Sequence, residues 1–129
     1  VCSSDLKGYN AYQKNSVNFA SKEQLLLMLV EGAVKFSKIA KNALEEKDNK
    51  KAHENLVKTQ NIFYELMVTL DVDKGGEWAE NLMRIYDFII YQLVQANVKK
   101  DVKILNETIP LIEDIRDTWN EAYKKSKIE

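Results

Sequence analysis

Only four glycines and one proline punctuate 129 residues, and that scarcity constrains the fold more than any other feature. A many-stranded sheet would need a turn signal roughly every 8–12 residues. Between its few breakers this chain instead repeats apolar residues at three- and four-residue steps, the period of a helix with one buried face. Its apolar share of 45% is too high for a disordered segment, and its charged share of 30% is too high for a membrane span. A chain of this length buries roughly two-thirds of its unfolded surface, so it stands as one domain without disulfides or metal.

Four stretches share the pattern. The first runs from about residue 22 to 46, with Leu25, Met28 or Leu29, Ala33, Phe36, Ala40 and Ala43 in phase. The second, about 49 to 70, carries Ala52, Leu56, Thr59, Phe63, Leu66 and Leu70. The third, about 77 to 97, carries Trp78, Leu82, Ile85, Ile89, Leu93 and Ala96. The fourth, about 101 to 125, carries Val102, Leu105, Ile109, Ile112, Ile115, Trp119 and Ala122 or Tyr123. Each stripe lies close to a 3.5-residue repeat, which packs helices into a left-handed bundle. The connections at 47–49, 71–76 and 98–100 are short, so neighbours must be antiparallel. The fold class is therefore all-α: an up-down-up-down four-helix bundle over residues 21–125, preceded by an N-terminal arm or cap helix over 1–20. Ser21 with Gln24 three residues on forms a capping box, and Asp48 or Asn49 caps the second helix. Pro110 removes one backbone donor and is expected to kink the fourth helix without ending it. Val1–Leu6 lacks an initiator Met, carries no pattern, and is treated as a remnant outside the fold.

Reactive chemistry is sparse. The net charge of −1 and pI near 6.0 give no basic excess to hold a phosphate backbone, which argues against nucleic acid. The single cysteine, Cys2, cannot form an internal disulfide, which fits a reducing cytoplasm. No run of about 18 apolar residues suggests membrane insertion. A di-iron core needs Glu-x-x-His on two helices, and the one histidine, His53, has Lys50 three residues before it. Gly75-Gly76 is read as a turn between helices and lacks the Lys-Ser or Lys-Thr of a phosphate loop. Lysines 35, 38, 41, 47, 50, 51 and 58 lie among acidic residues and read as a solvated face. A histidine on a bundle helix can accept a phosphoryl group, but His53 sits in the first turn of its helix, where a surface histidine is the simpler reading. No enzyme, metal or cofactor is implied, and a binding protein is what elimination leaves.

The apolar residues exceed what four core stripes require. Val57, Ile62 and Met67 lie beyond the stripe on the second helix, and Ile104 and Leu111 on the fourth. On the third, Met83, Phe88, Ile90, Tyr91 and Val94 extend the apolar arc past half the circumference. Such a surplus points to a groove for a partner's amphipathic helices, or to a homodimer.

The run Tyr12-Gln13-Lys14-Asn15-Ser16-Val17-Asn18, then Ala20-Ser21 and Leu25 to Leu29, resembles the start of the flagellin export chaperone (FliS) family. The similarity continues through Ala33 to Ala43, Asn61-Ile62 to Leu66, Leu70-Asp71, Gly75-Gly76, Asn81-Leu82, Ile85-Tyr86-Asp87-Phe88 and Leu93 to Asn97, and ends with Asp101, Leu105 and Trp119. It spans about residues 9 to 123. One departure is Lys22, where the family shows proline after Ala-Ser; Ser21 can still cap. The resemblance implies a cytoplasmic helical chaperone that binds the C-terminal segment of flagellin, keeps it from polymerising and helps deliver it to the flagellar type III export gate. It implies a displaceable lid at Tyr12, Gln13, Asn15 and Val17. It also implies a groove between the second and third helices, for which Ile62, Leu66, Leu82, Ile85, Tyr86 and Ile89 are candidates, followed by Leu93, Ala96 and Asn97.

Overall fold

A computed structural model describes residues 21–128, with the side chains of 21–125. The lid residues Tyr12, Gln13, Asn15 and Val17, and Cys2, lie outside the described residues. Among the described residues four helices follow one another: α1 (Lys22–Glu45), α2 (Asn49–Thr69), α3 (Val72–Lys99) and α4 (Val102–Ile128). Each packs against its neighbours in sequence and α4 closes on α1, so the four form a ring of antiparallel pairs around one core. The expected bundle and its up-down-up-down order are what the chain adopts.

The helix ends follow from local chemistry. The Ser21 hydroxyl accepts from the Gln24 amide at 3.1 Å, and the Gln24 side chain accepts from the Ser21 amide at 2.9 Å. Asp48 caps α2 by accepting from the Lys51 amide, and Asp71 caps α3 by accepting from that of Lys74. α1 closes in a Schellman motif: the Asp48 amide donates to the Ala43 carbonyl at 2.8 Å and the Lys47 amide to that of Leu44 at 3.1 Å. Lys47 thereby occupies the left-handed position (φ 61°) that glycine usually fills. The α3–α4 connection repeats the device, with Lys100 at φ 50°.

The expected break at Gly75-Gly76 is present at Gly76, but the connection before it is shorter than the expected 71–76. The chain turns earlier, at Leu70 and Asp71, and α3 opens with one helical turn that breaks at Gly76 (φ 59°, ψ −136°) before continuing. Only glycine enters that region without strain. At Pro110 α4 runs on unbroken, as expected of a helix that does not end there.

Small residues let α1 and α2 approach closely. Ala33, Ser37, Ala40 and Ala43 on α1 are buried, and so is Ala52 on α2. A Cβ at Gly32 would come within 3.3 Å of the Ile62 side chain. Larger side chains fill the rest of the core, chiefly Phe63, Leu56, Leu66, Ile89, Leu93, Leu105 and Ile112. The buried hydroxyls of Ser37, Thr59 and Thr108 donate to carbonyls of the preceding turn, at 2.7–2.9 Å. Among the described residues no buried side-chain polar atom lacks a partner.

Candidate functional site

The rotation of α3 decides which apolar residues form the core and which face water. Its buried residues are Ala79, Leu82, Tyr86, Ile89, Ile90, Leu93 and Ala96. The expected stripe shared Leu82, Ile89, Leu93 and Ala96 with this set but placed Trp78 and Ile85 where the structure has Ala79 and Tyr86. Trp78 is 50% exposed and Ile85 41%. Both rows keep a 3.5-residue repeat through Leu82 and Ile89, so α3 turns its smaller Ala79 and its tyrosine inward and leaves a tryptophan outside.

Tyr86 repays its burial with one specific contact. Its ring meets Phe63 of α2 edge to face, with centroids 5.7 Å apart, and its hydroxyl accepts from the Trp119 indole N–H of α4 at 2.8 Å. Trp119 in turn meets Trp78 edge to face at 5.7 Å. Four aromatics therefore tie α2, α3 and α4 together. Burial pushes the Tyr86 hydroxyl up to about 12, and the hydrogen bond from Trp119 opposes that shift.

The candidate groove residues separate accordingly. Leu66, Leu82, Tyr86, Ile89, Leu93 and Ala96 are all buried in the closed bundle, so as groove residues they would need its helices to part. Ile62 and Asn97 are half-buried, and Ile85 alone of the set is exposed. Ile62 faces α1, against Gly32, rather than α3. Asn97 links the end of α3 to the start of α2: its amide group lies 2.9 Å from His53 Nδ1, and its oxygen accepts from Lys100. His53 is exposed in the first turn of α2, as its position implied.

The large apolar side chains of α3 that face water are Trp78, Ile85, Phe88 and Tyr91, at helical spacing, and Val98 near its end. Val57, Asn61, Tyr64 and Val68 form a second row on α2, of which Tyr64 and Val68 are exposed. Helical spacing sets Tyr64 and Met67 on the side of α2 toward α3, since Phe63 there touches Tyr86. Met83 and Val94 lie on the matching side of α3, half-buried. The bundle thus presents an apolar shelf along the α2–α3 seam and an aromatic ridge on the far side of α3, next to α4. Phe88 and Tyr91 were legible as surplus; Trp78 was hidden because it was assigned to the core. Among the described residues no three His, Cys, Asp or Glu side chains gather where a metal ion could be held. No described helix is long and apolar enough to cross a membrane.

Comparison with known proteins adds an independent line. Residues 5–126 match the family model of the flagellar protein FliS, starting two residues inside the stretch treated above as a remnant. The chain is 40% identical over 119 residues to the flagellar secretion chaperone FliS of Bacillus subtilis, covering 92% of this chain and 88% of that one. It is 35% identical over 127 residues to the FliS of Salmonella typhimurium, covering 95% and 94%. A solved structure described as a flagellar chaperone from bacteria superposes with a TM-score of 0.73 at 21% identity, covering 94% of this chain and 98% of that one. That likeness supports the fold.

Proposed function

We propose that this chain, which belongs to the FliS family and is a flagellar secretion chaperone, holds the C-terminal segment of flagellin in the cytoplasm on the apolar faces of α2 and α3, without catalytic turnover. The observation that carries the reading is the row of large apolar side chains on α3, Trp78, Ile85, Phe88 and Tyr91, left exposed beside a fully formed core. A row of this kind suits an amphipathic client helix, whose anchors recur at the same spacing. The client's own helix-forming faces are then covered, which keeps it from associating with further copies. Tyr12, Gln13, Asn15 and Val17 enter the proposal as a lid over this surface that the client displaces. Delivery to the export gate is the step that follows.

Calorimetric titration with a segment of roughly 40–50 residues from the C-terminus of the same organism's flagellin tests the reading. The expected result is 1:1 binding with a clearly negative heat-capacity change, the mark of apolar burial. Ile85→Ala with Phe88→Ala is expected to weaken it by about 1–3 kcal/mol while leaving the helical spectrum unchanged. No binding at high micromolar concentration would remove the client. Self-association of the same face, read as a dimer mass in solution, would then be the better account.

A further inference from the structure

The ring order of the helices puts the α1–α2 and α3–α4 connections at one end of the bundle and the α2–α3 connection at the other. Charge divides along the same axis. The first end, residues 35–60 and 90–112, carries ten lysines against six carboxylates. The other, residues 21–34, 61–89 and 113–125, carries six cations against twelve carboxylates. A chain whose net charge is −1 is therefore two opposed halves, and the lysines first read as a solvated face belong to the positive one.

That basic half contains a concavity. A cleft of about 400 Å³ opens between α1 and α4, lined by Lys38, Lys41 and Asn42 on one wall and Asn106, Ile109, Pro110 and Glu113 on the other. Lys38 meets Glu113 across it at 3.2 Å, while Lys41 has no partner among the described residues. Pro110 has no N–H to give the carbonyl of Asn106, one turn earlier, so α4 lacks that one helix bond at the cleft wall. Ile109 and the proline ring supply an apolar surface beside it. The α2–α3 seam and the aromatic ridge of α3 lie elsewhere on the ring.

We propose that this cleft is a second docking site, separate from the client surface, for an acidic peptide segment of a protein partner. The chemistry distinguishes a peptide from other anions. Lys41, and Lys38 once it exchanges Glu113 for a new carboxylate, take the acidic side chains. The Asn106 carbonyl, without a helix donor at Pro110, can accept from an N–H, which a peptide backbone supplies and a lipid phosphodiester does not. The apolar wall accepts an aliphatic side chain between two acidic ones. A nucleic-acid backbone has no aliphatic side chain for the apolar wall of Ile109 and Pro110.

The probe is a capped peptide of about ten residues alternating glutamate and leucine, titrated into the 15N-labelled protein. Shifts are expected at the side-chain amides of Asn42 and Asn106, with binding that weakens as salt rises. Lys38→Glu with Lys41→Glu should weaken it at least tenfold. Pro110→Ala, which restores the donor to Asn106, should weaken it severalfold while leaving the lysines in place. Both variants should bind the flagellin segment as the parent does. Three results would overturn the site: a lysine–leucine control peptide binding equally well, the variants retaining full peptide affinity, or the double-lysine variant losing the flagellin segment. Phosphatidylglycerol vesicles displacing the peptide from Asn42 and Asn106 would reassign the cleft to a membrane surface.

Discussion

At the scale of single residues, Tyr86 shows how a functional guess and a packing role compete. A tyrosine beside a seam looks like a binding residue because it has both a ring face and a hydroxyl, and the family resemblance implied that use. The structure satisfies both needs internally, with the ring on Phe63 and the hydroxyl under the Trp119 indole. Tyr86→Ala is accordingly expected to cost about 3–5 kcal/mol, as a large cavity in a core does, so it would report unfolding before it reported binding. The pH dependence has a definite sign. The native hydroxyl titrates near 12, above the unfolded value of 10. The folded state therefore binds this proton more tightly. Its contribution is fully present below pH 10 and is lost as pH rises toward 12, amounting to about 2–3 kcal/mol. Urea midpoints measured from pH 9 to 12 should fall more steeply for the parent than for Tyr86→Phe, whose difference from the parent should shrink along the same interval. A second residue-scale prediction concerns Gly76. Its φ of 59° with ψ −136° excludes a side chain, so Gly76→Ala should lower stability by about 1–3 kcal/mol although nothing lies within 4 Å of the added methyl. Thermal unfolding followed by circular dichroism would read it.

At the scale of elements, the starts of α1 and α2 were legible because they depend on near neighbours. Ser21 with Gln24 and Asp48 with Lys51 make their bonds within one turn, whatever the rest of the chain does. The rotation of α3 was not legible. Trp78-Leu82-Ile85-Ile89 and Ala79-Leu82-Tyr86-Ile89 are both apolar rows of the same period, and only the shape of the space left by α2 and α4 selects between them. The client surface, being the complement of that choice, was hidden with it. Two changes at helix positions should stabilise the chain. Lys47→Gly relieves a side chain held at φ 61° in the Schellman motif, by about 0.5–1 kcal/mol. Pro110→Ala restores one α4 hydrogen bond and should add about 1–3 kcal/mol. A shift of the urea midpoint at unchanged m-value would verify each.

At the scale of the whole molecule, the question is whether the client uses a surface that already exists or one that opens. The buried candidates Leu82, Tyr86, Ile89 and Leu93 could meet flagellin only if α3 lifted from its neighbours. That would break the Phe63–Tyr86–Trp119 contacts and expose the centre of the core. The exposed ridge requires no such opening, because Trp78, Ile85, Phe88 and Tyr91 are accessible in the closed ring. Binding to a preformed surface should therefore leave amide exchange of the α3 core unchanged or slower, since covering a helix adds to its protection. It should also dry Trp78. In a Trp119→Phe background, the Trp78 emission is expected to move to shorter wavelength as the flagellin segment is added, with exchange at Leu82 to Leu93 no faster than in the free chain. Faster exchange there at saturating client would instead mean that α3 separates from the bundle, and the buried row would regain its place as the binding surface.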